Sequence, residues 1–179
     1  MDIRKYFIVK QNPFEKQENC NITNDTPTKK EIINVFTDGS SINNGIKNKK
    51  HSGGIGIYVE NTKEEISEKI EDKITNNICE LKACIRAINF IVDKPDYKNN
   101  VINIFSDSEY VINSITKWAD NWKKNNWQKY NKQKKKKIDI KNKELIINLY
   151  NLYHKYPVKF THVKAHKSQP SHNSPEYKL

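Results

Sequence analysis

Three acids stand where the sequence pattern ends or opens an element. Asp38 closes the apolar run EIINVFT, Glu80 falls in the first turn of a helix predicted over NNICELKACIRAINFIV, and Asp107 follows VINIF. If the strands carrying Asp38 and Asp107 are neighbours and the Glu80 helix packs over them, three carboxylates converge at one edge of a sheet. Like charges at close range raise one another's pKa, so such a cluster calls for cations. Hard divalent ions with oxygen ligands suit it, and Mg²⁺ accepts few carboxylates while keeping waters and substrate phosphates. Two such ions about 3.5–4 Å apart would clamp the attacking and leaving oxygens of a phosphodiester. Each acid alone has a plainer explanation: Asp38-Gly39 as a turn, Glu80 as an acid at a helix N-terminus, Asp107 as part of a cap. The argument rests on the set.

The elements that must position the set follow from periodicity. EIINVFT and GGIGIYVE read as strands joined by a polar loop. In KEEISEKIEDKI, Ile66, Ile70 and Ile74 fit both a helix and a strand; a third strand is expected, because GGIGIYVE needs a nearby partner. Ile78, Leu81, Ile85 and Ile88 recur at helical spacing, with an Asn available as N-cap. VINIF reads as a buried strand, and Ser106 to Glu109 has the S-x-x-E form of a capping box opening the next helix. KELIINLYNLYHK is an amphipathic helix, VKFTHV a last strand, and KAHKSQPSHNSPEYKL a loop. The order βββ, α, β, α, basic segment, α, β predicts an α/β domain with helices packed on a mixed sheet. Residues 1–30, with two prolines and no periodicity after the aromatic head MDIRKYFIV, read as a flexible segment preceding a domain over 31–179.

The basic segment is WADNWKKNNWQKYNKQKKKK. It holds all three tryptophans of the chain, and Lys117 to Lys137 contain nine lysines against one acid, Asp120. The 179 residues carry a net charge of +11, so polyanions are the first partner class to consider. Cys20, Cys79 and Cys84 form no CxxC pair, which argues against a zinc site or a disulfide framework and for a reducing compartment. No segment approaches the ~18 apolar residues that span a bilayer, and no secretory leader pattern opens the chain. An intracellular protein is expected.

TDGSS (37–41), TNNICELKA (75–83), FSDSEYV (105–111) and THVKAH (161–166), in this order and spacing, resemble the type 1 ribonuclease H family over about residues 32–172. The resemblance implies an endonuclease that cuts the RNA strand of an RNA–DNA hybrid with Mg²⁺ or Mn²⁺, leaving 5′-phosphate and 3′-hydroxyl ends. It makes Asp38, Glu80 and Asp107 metal ligands, and His166 the mobile-loop histidine that assists the nucleophilic water or product release. His162 is expected to be structural. Asn44, Thr75, Asn76 and Asn77 match positions where amides and hydroxyls meet the hybrid; for Thr75 and Asn77 a substrate contact is expected, and for Asn76 the choice between contact and cap stays open. WADNWKKNNWQK resembles the family's basic helical handle. There Trp118, Trp122 and Trp127 would form a ridge fixing the handle, Lys123, Lys124, Lys129 and Lys134 to Lys137 would face phosphates, and Trp122 or Trp127 could instead lie against DNA sugars.

One departure concerns the family's fourth carboxylate, an Asp about ten residues beyond the loop histidine. Glu176 stands there, without the surrounding motif or a closing helix. The true Asp lies beyond Leu179, or Glu176 substitutes, or the site has three carboxylates; the first is the expectation. An alternative function follows, a catalytically impaired hybrid-binding protein on the same fold. A third is the ribonuclease H domain of a reverse transcriptase, against which the initiator Met and the N-terminal peptide speak. In that peptide Ile3, Tyr6 and Phe7 resemble a degenerate sliding-clamp-binding motif of the PCNA type, lacking its leading Gln, and also the amino terminus of the clamp-loader large subunit. A terminal element packing on the domain explains the same residues. A monomer working in DNA replication or in removal of RNA primers is the resulting expectation, in nucleus or cytoplasm.

Overall fold

The computed structural model describes residues 30–42, 52–71, 74–97 and 100–164. β1 (Ile32–Ile42), β2 (Ser52–Val59) and β3 (Glu64–Glu71) form an antiparallel meander. The third strand is therefore present where the isoleucine spacing was ambiguous. β4 (Val101–Ser106) pairs parallel to β1, and β7 (Val158–His162) parallel to β4, giving the order β3-β2-β1-β4-β7. Parallel neighbours need long crossovers, and these carry the helices α1 (Asn76–Val92) and α4 (Lys143–Lys155).

Alternation sorts the strand residues between the two faces of the sheet. Ile33, Val35, Ile57, Val59, Ile102 and Ile104 join Leu81, Ile88 and Ile91 of α1 and Ile146 and Leu149 of α4 in one buried core. Each such side chain contributes about 1.5–3 kcal/mol by leaving water. The opposite face has a different character. Phe36 stacks on Phe105 at 4.5 Å, and Thr161 donates to Asn103, Asn103 to Asn34, and Asn34 to Glu60, a chain of hydrogen bonds across the sheet.

Several local expectations are corrected. Asp38-Gly39 is not a turn: β1 runs straight through it, with Asp38 opposite Gly56 and Gly39 opposite Ile55. The N-cap of α1 is Thr75, whose hydroxyl accepts from the Ile78 N–H at 3.4 Å, and not an Asn. Ser108 rather than Ser106 caps the next helix, accepting from the Val111 N–H; Ser106 belongs to β4, and its hydroxyl accepts from the Ser108 N–H. That helix is built of α2 (Glu109–Asn113), a π turn over Ser114–Trp118 and α3 (Ala119–Lys124).

The basic segment is helical only as far as Lys124. Asn126 and Trp127 take φ of 55° and 59°, a left-handed conformation that a right-handed helix cannot continue. β5 (Gln128–Asn131) and β6 (Lys136–Asp139) then form an antiparallel hairpin, so the expected helical handle is half helix and half hairpin. No helix among the described residues is long and apolar enough to cross a membrane.

Candidate active site

The strand register brings the acids together. Phe36 of β1 lies opposite Phe105 of β4, so Asp38 and Asp107, each two residues further on, leave the same edge side by side. Glu80 arrives from above, because α1 approaches β1 unusually closely. A Cβ on Gly39 would sit 2.4 Å from both the Cys79 carbonyl carbon and the Glu80 nitrogen, a contact no side chain tolerates. Gly53 on β2 makes similar room: a Cβ there would meet Cys79 Sγ at 2.6 Å and Ser40 O at 2.7 Å. Asn76 ties the start of α1 to β1, its Oδ1 accepting from the Ser41 N–H at 2.9 Å and from the Ser41 hydroxyl at 2.7 Å. Beneath the acids, the buried Thr37 hydroxyl donates to Phe105 O at 3.3 Å and lies 3.5 Å from Cys84 Sγ, locking strand, strand and helix.

The result is a cluster in which one oxygen each of Asp38, Glu80 and Asp107 lies within 4.8 Å of the others. Glu80 is 8% exposed, and its Oε2 has no hydrogen-bond partner. Burial pushes its carboxyl from 4.5 up to about 8, with Asp107 and then Asp38 adding to the rise and a hydrogen bond from the Gly39 backbone opposing it. Desolvation and like charge both favour the neutral acid. A hard cation reverses both effects at once, and three converging carboxylates, one of them carrying an orphaned buried oxygen, are a donor set that fits Mg²⁺ or Mn²⁺.

The other expected site residues divide. Thr75 is occupied as an N-cap, and Asn76 is a positioning residue bound to Ser41. Asn77 is exposed in the first turn of α1. Asn44, His166, Glu176 and the peptide residues Ile3, Tyr6 and Phe7 lie outside the described residues. His162, expected to be structural, is instead exposed at the end of β7 and lines an open groove of about 240 Å³ with Glu109, Ile112, Asn113 and Lys117. Nothing in the alternation of VKFTH flagged this, because the groove exists only once β7 lies beside β4.

The tryptophans of the basic segment have separate tasks. Trp122 and Trp127 are half-buried against the core, and Trp127 meets Tyr150 of α4 edge-on at 5.4 Å. Tyr150 in turn donates to Asp120 Oδ1 at 2.8 Å, and Lys123 Nζ lies 5.0 Å from the centre of its ring. Trp118, 40% exposed, packs its ring 5.6 Å from that of Trp122. The expected ridge of three is therefore split: Trp118 and Trp122 meet each other on the helical part, while Trp127, past the helix end, anchors the hairpin to Tyr150. Lys123, Lys124, Lys129 and Lys134 to Lys137 are all exposed.

Comparison with known proteins agrees with this geometry. The RNase H family model matches residues 30–175. A ribonuclease H of Clostridium botulinum is 39% identical over 145 residues, covering 80% of this chain and 89% of that protein. Ribonuclease HI of Haemophilus influenzae is 35% identical over 135 residues, covering 75% and 78%. In fold, the PFV RNase H domain superposes with a TM-score of 0.58 at 22% identity, over 79% of this chain and 84% of that one. The five-stranded mixed sheet, the carboxylate cluster at its edge and these matches together place the chain in the RNase H family.

Proposed function

We propose that the chain is an endoribonuclease that hydrolyses the RNA strand of RNA–DNA hybrids with two divalent cations held by Asp38, Glu80 and Asp107. The observation that carries this reading is the meeting of three carboxylates, one of them the buried Glu80 with an unpartnered oxygen, in a chain of this family. Bound divalent cations supply Lewis-acid polarisation of phosphoryl oxygens and lower the pKa of water. The chain's own residues do the rest. Asp38, the exposed member of the cluster, would be the one to face a scissile phosphodiester. Asn77 and Asn44 would meet sugars and phosphates, since a 2′-hydroxyl both donates and accepts and an amide can answer both, and Thr75, whose oxygen caps α1, would have its O–H left to donate. His166 would move a proton at the reacting water or the leaving oxygen.

The exposed lysines of the basic segment, Lys123, Lys124, Lys129 and Lys134 to Lys137, would hold the backbone of the hybrid, a contact that binds without reading sequence. Trp122 and Trp127 would serve that grip indirectly, Trp122 by packing the segment on the core and Trp127 by fixing it to Tyr150 of α4. Removal of RNA primers or stray hybrids during DNA replication inside the cell suits such an activity in a monomer. A sliding clamp engaged by Ile3, Tyr6 and Phe7 would raise the enzyme's local concentration there.

The test is selectivity. Labelled RNA–DNA hybrid, RNA duplex and DNA duplex of one sequence are incubated with the protein and Mg²⁺ at low salt. Cleavage of the RNA strand of the hybrid alone, with 5′-phosphate ends, supports the reading. Tight binding of hybrid without cleavage would assign a binding protein on the same fold, and cutting of all three duplexes would contradict hybrid selectivity.

A further inference from the structure

The hairpin presents an aromatic side chain that the grip on a duplex does not use. Tyr130 is 62% exposed, and among the described residues only Ile42 of the large hydrophobic side chains is more so. Its partner across the hairpin is Lys137, and directly paired residues share one face of a ribbon. Asn131 opposes Lys136 next to them, and the turn between carries Lys132, Lys134 and Lys135. Asp139, the acid at the hairpin base, is engaged by Lys143 at 2.9 Å and by Gln128 at 3.4 Å, so it does not neutralise the tip.

The hairpin is also fixed at its root and free to reach outward. Trp127 is packed on Tyr150, and the Ile140 N–H donates to Trp127 O at 3.1 Å, closing the base. Four residues of strand extend roughly 13 Å from there.

We infer that the Tyr130 face of the hairpin is a binding platform for unpaired nucleic acid flanking the hybrid, with one base stacked on the Tyr130 ring and adjacent phosphates held by Lys137 and the turn lysines. A duplex keeps its bases inside and offers this ring nothing to stack on, whereas every unpaired base has an exposed π-face. Lysines alone would serve a duplex or a single strand equally. The exposed ring on the same ribbon face selects the single strand. This inference rests on the hybrid reading above, and it places the enzyme at junctions between hybrid and single-stranded DNA.

The experiment measures fluorescence-anisotropy dissociation constants in Ca²⁺, which permits binding without the need for turnover, for three probes: a blunt hybrid, the same hybrid with single-stranded DNA overhangs, and the overhang strand alone. The unchanged protein should bind the overhang probe more tightly than the blunt one. Tyr130→Ala should weaken the overhang probe and the free strand by about 5- to 150-fold, the range of one stacked base, and leave the blunt hybrid and its cleavage unchanged. Tyr130→Phe should keep the gain, because the ring and not the hydroxyl does the stacking. Equal affinity for blunt and overhang probes, or a loss for Tyr130→Ala that is the same on both, would overturn the inference. Failure to bind the blunt hybrid would count against the hybrid reading instead, and the free-strand probe still decides the role of Tyr130.

Discussion

Replacing Glu80 with Gln tests the electrostatics of the site without touching its shape. In the metal-free protein the Glu80 carboxyl is pushed from 4.5 to about 8, chiefly by burial and then by Asp107 and Asp38. The folded state thus holds this proton more tightly than the unfolded chain does. The stabilising effect of that proton is complete below the ordinary carboxylate value and is lost as the pH climbs through about 8. At 1.36 kcal/mol per tenfold change in proton affinity, the loss approaches roughly 3 kcal/mol at pH 7 and roughly 5 kcal/mol above pH 8, as upper bounds. Gln cannot ionise and escapes it. Urea unfolding in EDTA at pH 5, 7 and 9 reads the difference. Protein and variant should agree within about 1 kcal/mol at pH 5, and the variant should be the more stable by a margin that widens to pH 9. Saturating Mg²⁺ should reverse the order, since only the carboxylate gains from the ion. A difference that stays constant with pH, or a variant less stable at pH 9 in EDTA, would refute the reasoning.

Other substitutions probe the parts that hold the site. Gly39→Ala forces a methyl into the Cys79–Glu80 backbone, so it should cost about 1–3 kcal/mol in urea unfolding and lower cleavage disproportionately by displacing Glu80. Trp127→Ala removes the Tyr150 contact at the hairpin root and should cost about 3 kcal/mol, read as a lower urea midpoint, together with weaker hybrid binding. Changing Lys134 to Lys137 to Gln should leave stability alone and flatten the plot of log affinity against log salt by about 1 for each lysine that meets a phosphate.

The acids were legible because each lies in or next to a strongly patterned element, although only Asp107 directly follows one: Asp38 lies within β1 and Glu80 one turn into α1. Glu80 and Asp107 needed only the helix and strand boundaries, and the parallel pairing of β1 with β4 supplied the rest. Gly39 was not legible in its true role. Asp-Gly reads as a turn by composition, and only the packed helix reveals that a missing Cβ sets the height of Glu80 over the sheet. The hairpin was hidden for another reason: a run of lysines has no alternation, and neither the left-handed Asn126 and Trp127 that end the helix nor the packing of Trp127 on the distant Tyr150 leaves a local pattern. Asn76 likewise looked like a cap or a substrate contact until the fold brought the start of α1 back to the end of β1, past two intervening strands, and put Ser41 within its reach.

The central claim is that Asp38, Glu80 and Asp107 act as one metal-dependent unit. Asp38→Asn, Glu80→Gln and Asp107→Asn, each shown to be folded, should be assayed for hybrid cleavage across a Mg²⁺ titration. Each variant is expected to lose at least about 100-fold in rate at every Mg²⁺ concentration while still binding the hybrid. A variant that cleaves at the rate of the unchanged protein, or cleavage that persists in EDTA, would contradict the account.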